Sequence, residues 1–97
     1  MAKGYWVARV DVTDPKQFAK YSAFVGPFVA AHNGRFLVRG GKQTVREGEA
    51  RARTVIVEFT SLEAAQAAYD SAEYQAGIEL RRSAGIVDFV IVGGYDG

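Results

Sequence analysis

The residues of this chain best equipped for chemistry are arginines, tyrosines and one glutamate set in apolar surroundings. Arg9, Arg39 and Glu58 each fall in a run of β-branched and aromatic residues. A guanidinium grips a carboxylate or enolate through paired N–H donors, and a neighbouring carboxylate can serve as a base. The same three charges also suit a structural ion-pair network inside a subunit interface, and both readings stay open. Tyr21, Tyr69 and Tyr74 fall in helical segments, and Arg81 lies further along the last of these. Two phenols beside Arg81 could orient a small carbonyl or phenolic ligand. The competing reading is that each tyrosine only fills the core.

Other chemistries are poorly provided for. His32 is the only histidine, and it sits where a helix should end. There an imidazole commonly answers the helix dipole or packs, although a catalytic or haem-ligand role stays open. There is no cysteine, so thiolate chemistry and cysteine-ligated metals are excluded. The expectation is no bound metal and no cofactor. Gly40-Gly41 and Gly93-Gly94 do not follow dinucleotide or phosphate-loop spacing and read as strand ends or bulges. The formal net charge is +1 over 97 residues, too small a basic excess for general nucleic-acid binding. Residues 35–53 hold six basic and two acidic side chains, whereas residues 54–80 hold no lysine or arginine. That asymmetry would steer an anion to one edge, or simply mark a solvated loop. Arg9 and Asp11 interrupt the first apolar run too early for a signal peptide. No stretch approaches membrane-span length, and without disulfides the expected location is the cytoplasm.

The elements that must position these residues follow from periodicity. Residues 5–12 alternate with period two and read as a strand. Asp14 then caps a helix with Pro15 at its first position. That helix carries Phe18, Tyr21, Val25, Phe28 and Val29 inward, a kink at Gly26-Pro27, and a left-handed end at Asn33-Gly34. Residues 35–39 form a second strand and 54–59 a third, with a polar loop over 42–53 between them. Thr60-Ser61-Leu62-Glu63 reads as a capping box before an alanine-rich helix. Asp70-Ser71 breaks that helix, a further helical segment covers 73–84, and residues 86–92 form the last strand. The order βαββαβ, with Phe36-Leu37-Val38-Arg39-Gly40-Gly41 echoed by Phe89-Val90-Ile91-Val92-Gly93-Gly94, predicts an α+β, ferredoxin-like fold. Residues 1–97 fit a single domain.

Phasing the strands places Trp6, Ala8, Val10, Val12, Phe36, Val38, Val55, Val57, Phe59, Phe89 and Ile91 on one uncharged face. That face belongs under the helices, with Trp6, Val10, Phe36, Val57, Phe59 and Phe89 buried. The other face collects Tyr5, Val7, Arg9, Asp11, Arg35, Leu37, Arg39, Thr54, Ile56, Glu58, Asp88, Val90 and Val92. With the first and third strands central and the second flanking the third, Arg9, Glu58 and Arg39 would stand side by side. This face has no helix over it, yet it is about half apolar. It is therefore the expected homodimer surface.

Gly4-Tyr5-Trp6-Val7, Asp14-Pro15 before an aromatic helix, and the segments 34–41 and 69–75 together resemble domain-of-unknown-function family 1330. The similarity spans nearly the whole chain. It implies a dimeric α+β barrel, in which two four-stranded antiparallel sheets, each with helices on one face, pair across their open faces. That superfamily includes small cofactor-independent monooxygenases, lactone isomerases and haem-dependent enzymes. The family carries no settled activity, so the resemblance assigns no catalytic residue. The resulting expectation is a cofactor-independent enzyme acting on a small carbonyl, phenolic or carboxylate substrate. A non-catalytic ligand-binding or interaction module is the alternative. The candidate ligand-binding residues are Arg9, Arg39, Glu58, Tyr21, Tyr69, Tyr74 and Arg81.

Overall fold

Period-two alternation along four segments builds an antiparallel sheet, and three helices cover one of its faces. The computed structural model describes residues 2–96. The elements are β1 (Gly4–Val12), α1 (Pro15–Ala31), β2 (Arg35–Arg39), β3 (Arg53–Phe59), α2 (Leu62–Asp70), α3 (Ala72–Arg82) and β4 (Gly85–Gly93). The strand order is β2-β3-β1-β4, and every pairing is antiparallel. This is the ferredoxin-like α+β arrangement expected from the sequence.

Local chemistry sets the helix ends. The Asp14 carboxylate accepts from the Gln17 amide at 3.2 Å, with Pro15 opening α1. Asn33, at φ 60°, turns the chain out of α1 in the left-handed region. Ser61 caps α2 by accepting from the Ala64 amide. The anticipated capping box does not form, because the cap falls on Ser61 instead of Thr60. The third helical position is then Ala64, which cannot return the bond. Ser71 ends α2 and caps α3, accepting from the Tyr74 amide.

The core lies between the sheet and the helices. Trp6, Val57 and Phe59 from the sheet pack on Phe28 and Val29 of α1, Ala65 of α2, and Tyr74 and Ile78 of α3. The indole N–H of Trp6 donates to the Ala65 carbonyl at 2.8 Å, so its polar edge is satisfied inside the core. Not every residue of the expected core face is buried: Val55 and Ile91 are half-buried, and three others differ for a visible reason. Val12 is exposed, at the strand's end. Phe36 and Phe89 are only half-buried, because they wall a cavity instead of lying beneath a helix.

The strand phasing holds for β1, β3 and β4 and fails in the second half of β2. Phe36 faces Val57, but Val38, not Leu37, faces Ile56, so Leu37 is an extra residue in a bulge. Beyond that bulge the alternation flips. Val38 moves to the open face, and Arg39, now opposite Val55, moves to the helix side. The third strand also begins one residue earlier than expected, at Arg53. Arg53 pairs with Val10 and so shares the helix-side face.

Candidate functional site

Both corrections bring charge to the same place. Between the sheet and helices α1 and α3 lies a cavity of about 40 Å³, set within a cleft of about 520 Å³ that opens to solvent. Its walls are Trp6, Phe18, Tyr21, Phe36 and Phe89 together with smaller apolar residues, and its charged lining is Arg39, Arg53 and Arg81. None of the lining residues is Asp, Glu or His. The deep part alone holds a few waters, so a ring-sized ligand needs the cleft as well.

Each arginine is held by something other than a carboxylate. The Arg39 guanidinium lies 4.2 Å from the Phe36 ring centroid and donates through Nη2 to the Ser22 carbonyl at 3.1 Å. Arg81 lies 5.2 Å from the Tyr21 ring centroid. Burial works against its charge, but Tyr74 and Tyr21 beside it more than offset that, and its pKa is raised. The Nε of Arg53 is buried and has no hydrogen-bond partner among the described residues. The ion pairs of the described residues run Arg35–Glu58, Arg51–Asp11, Arg51–Asp88 and Arg82–Glu79, none of them to a cavity arginine.

Tyr21 and Tyr74 form a hydroxyl pair at 2.6 Å. Tyr74 is fully buried behind Tyr21, and burial, followed by the neighbouring Tyr21, raises its pKa well above the usual phenol range. It therefore keeps its proton, and Tyr21 presents the cavity-facing half of the pair. Tyr69 is not part of the lining. It packs in the aromatic core, 4.9 Å from Phe89 and 6.3 Å edge-on from Trp6.

Of the residues singled out from sequence, the structure thus gathers Arg39, Arg81 and Tyr21 at one cavity, with Tyr74 behind them. Arg9 and Glu58 lie on the opposite face of the sheet, so the expected row of Arg9, Glu58 and Arg39 does not exist. The β2 bulge takes Arg39 to the helix side, and the register of β1 on β3 sets Arg9 opposite Thr54 but Glu58 opposite Tyr5, four residues away along β1. Glu58 instead accepts from the Tyr5 hydroxyl at 2.9 Å and from Arg35 Nε at 3.0 Å. Arg35, then Tyr5, hold its carboxyl below the usual range. Arg9 pairs across the sheet with Thr54 and Asp88 and borders an open groove with Arg51 and Asp11. His32 stacks on Phe28 at 4.0 Å and donates from Nδ1 to the Phe28 carbonyl, away from the cavity. Arg53 ends the polar segment 42–53 that reads as a loop, and the structure makes it the first residue of β3. Its in-phase spacing with Val55 and Val57 is the signal that places it on the helix side.

Fold and cavity together define a ferredoxin-like α+β chain with an arginine-lined aromatic cleft. The chain belongs to the family described as a domain of unknown function, DUF1330, which matches residues 3–95. Among solved structures it is similar to a protein of unknown function from Rhodopseudomonas palustris, with TM-score 0.76 and 14% identity, covering 99% of this chain and 85% of that one. It is also similar to SnoaB, a cofactor-independent oxygenase from Streptomyces nogalater, with TM-score 0.65 and 16% identity, covering 100% and 97%. A third similar structure is a dimeric ferredoxin-like protein of unknown function from Thermobifida fusca, with TM-score 0.61 and 16% identity, covering 95% and 89%. No curated protein matches the chain. Among the described residues, no helix is long and apolar enough to cross a membrane.

Proposed function

We propose that this chain is a cofactor-independent enzyme that binds a small carbonyl, phenolic or carboxylate compound in the cavity and acts on its anion. The observation carrying this reading is the meeting of Arg39, Arg53 and Arg81 at an aromatic cleft whose lining contains no carboxylate. Arg53 and Arg81, partly buried and without a counter-charge, favour an anionic occupant, with the exposed Arg39 at the rim. A phenol or enol bound there loses its proton more readily than in water. The Tyr21 hydroxyl, held by Tyr74, is placed to meet the ligand oxygen. The likeness to SnoaB, a cofactor-independent oxygenase, supports chemistry of that general kind on this fold.

One observation favours a non-catalytic ligand-binding module instead: the lining offers no His, Asp or Glu as a general base. 4-Nitrophenol tests both readings, because its phenolate absorbs visible light. At a pH where the free phenol is mostly protonated, adding protein should raise the phenolate band to saturation, and Arg81→Met should weaken this. An unchanged spectrum would remove the site. Protein-dependent oxygen uptake with an oxidisable phenol then separates the enzyme from the binding module.

The assembly belongs to the same proposal. Residues 1–97 act as one barrel-forming domain that pairs with a second copy through the open sheet face. Leu37, Ile86, Val90 and Val92 on that face are 46%, 53%, 58% and 48% exposed, too apolar a surface to suit solvent. The Thermobifida fusca neighbour, itself dimeric, supports this pairing. A chain without cysteine suits a reducing compartment such as the cytoplasm.

A further inference from the structure

We infer that Arg39 and Arg53 act together as a carboxylate clamp, so that the ligand of this cavity is a planar, ring-bearing carboxylate. The inference rests on the cavity being a ligand site, and it adds which chemical group enters and how.

The sheet register brings the two cations together. Arg39 faces Val55, and Arg53 lies two residues before Val55 on the same strand. Both side chains therefore leave the helix-side face as diagonal neighbours on adjacent strands, a separation of about 7–8 Å between their backbones. Two like charges so placed repel one another, and no carboxylate of the described residues lies within ion-pair distance of either. Arg39 is anchored at one nitrogen by the Ser22 carbonyl and across its face by Phe36. Arg53 carries a buried Nε with no partner. A buried guanidinium N–H without an acceptor is costly, and a carboxylate has two oxygens, one for Arg53 and one for the neighbouring, exposed Arg39.

The backbone also leaves space for this arrangement. Gly40 has φ 72°, and a Cβ there would collide with the Arg53 Nη1 and Cζ atoms. Glycine at 40 thus lets the Arg53 guanidinium lie against the strand end and line the cavity. The walls facing it are flat, since Trp6, Phe36 and Phe89 supply rings to the same cavity. Charge at one point and aromatic walls beside it select a planar acid over an aliphatic or purely inorganic anion.

The test uses Trp6, the chain's single tryptophan, as the reporter. Benzoate, the neutral isostere benzamide, inorganic phosphate and 4-nitrophenol are titrated against the wild-type protein and Arg53→Gln. Benzoate should change Trp6 emission saturably and bind at least about tenfold more tightly than benzamide. Phosphate, which has charge but no ring, should bind more weakly than benzoate. Arg53→Gln should lose the preference for benzoate over benzamide. Equal affinity for benzoate and benzamide in the wild type overturns the clamp without any variant, and so does an Arg53→Gln protein with unchanged benzoate affinity. Phosphate binding as well as benzoate overturns the ring requirement. If 4-nitrophenol binds while benzoate does not, the clamp falls and the ligand site stands. If neither binds, both fall.

Discussion

The Tyr21 hydroxyl stands 2.6 Å from the Tyr74 hydroxyl, joining a half-buried side chain at the cavity to a fully buried one behind it. The pair closes the hydrogen-bonding needs of a phenol that has no water to turn to. Tyr21→Phe should therefore lower stability by about 1–3 kcal/mol, the cost of removing the tyrosine partner of a buried hydroxyl. The double change Tyr21→Phe with Tyr74→Phe should cost less than the two single changes added. Urea unfolding of the three variants measures this, and strict additivity would show that the two hydroxyls do not depend on each other.

Gly40 links backbone conformation to the site. With φ at 72° and the Arg53 guanidinium against it, alanine meets both a left-handed backbone penalty and a collision. Gly40→Ala should lose about 1–2 kcal/mol of stability. It should also weaken ligand binding, because Arg53 must move. Gly41→Ala, where an added Cβ meets nothing within 4 Å, is the control and should bind ligand normally. Equal binding losses in the two variants would contradict this role for Gly40.

Most of the architecture can be read from the residues themselves. Trp6, Val10, Val57 and Phe59 declare their face by alternation, and Asp14 and Ser71 announce helix starts by their capping chemistry. Arg39 could not be placed in this way. One extra residue in β2, Leu37, inverts every side chain after it, and a bulge leaves no mark in the hydrophobic pattern of a five-residue strand. The cavity itself is a property of packing between Phe36, Phe89 and helix α1, and composition does not encode such a gap. Arg53, by contrast, was legible from its alternation with Val55 and was hidden by the polar loop before it.

Acid should destabilise the protein through two carboxylates outside the cavity. Glu58 is held low by Arg35 and then Tyr5, and Asp11 by the Ala52 amide and then Arg51. A carboxylate with a depressed pKa in the folded state contributes stability that is present above its unfolded pKa. That stability is lost as pH falls through the folded value. The melting temperature should hold steady near neutrality and fall below about pH 4, where unfolded carboxylates take up protons. Asp11→Asn with Glu58→Gln should flatten that fall. An acid limb unchanged in the double variant would assign the effect to other groups.

Pairing through the open face has a direct test at Val90. This side chain is 58% exposed and faces Val7 across the sheet. Sedimentation at micromolar concentration should show a dimer for the wild type and a monomer for Val90→Lys. A monomeric wild type contradicts the pairing, and a dimeric Val90→Lys places the contact on another surface.

The central claim is that the chain binds an organic anion on the helix side of its sheet. Nitrogen-15 NMR of the side chains tests it most directly, because the indole and guanidinium N–H groups report separately. Adding benzoate should shift the signals of Trp6 Nε1 and of Arg39 and Arg53 Nε in parallel and to saturation, while Arg9 and Arg51 on the opposite face stay still. Shifts confined to Arg9 and Arg51, with Trp6 and Arg53 unmoved, would contradict the account.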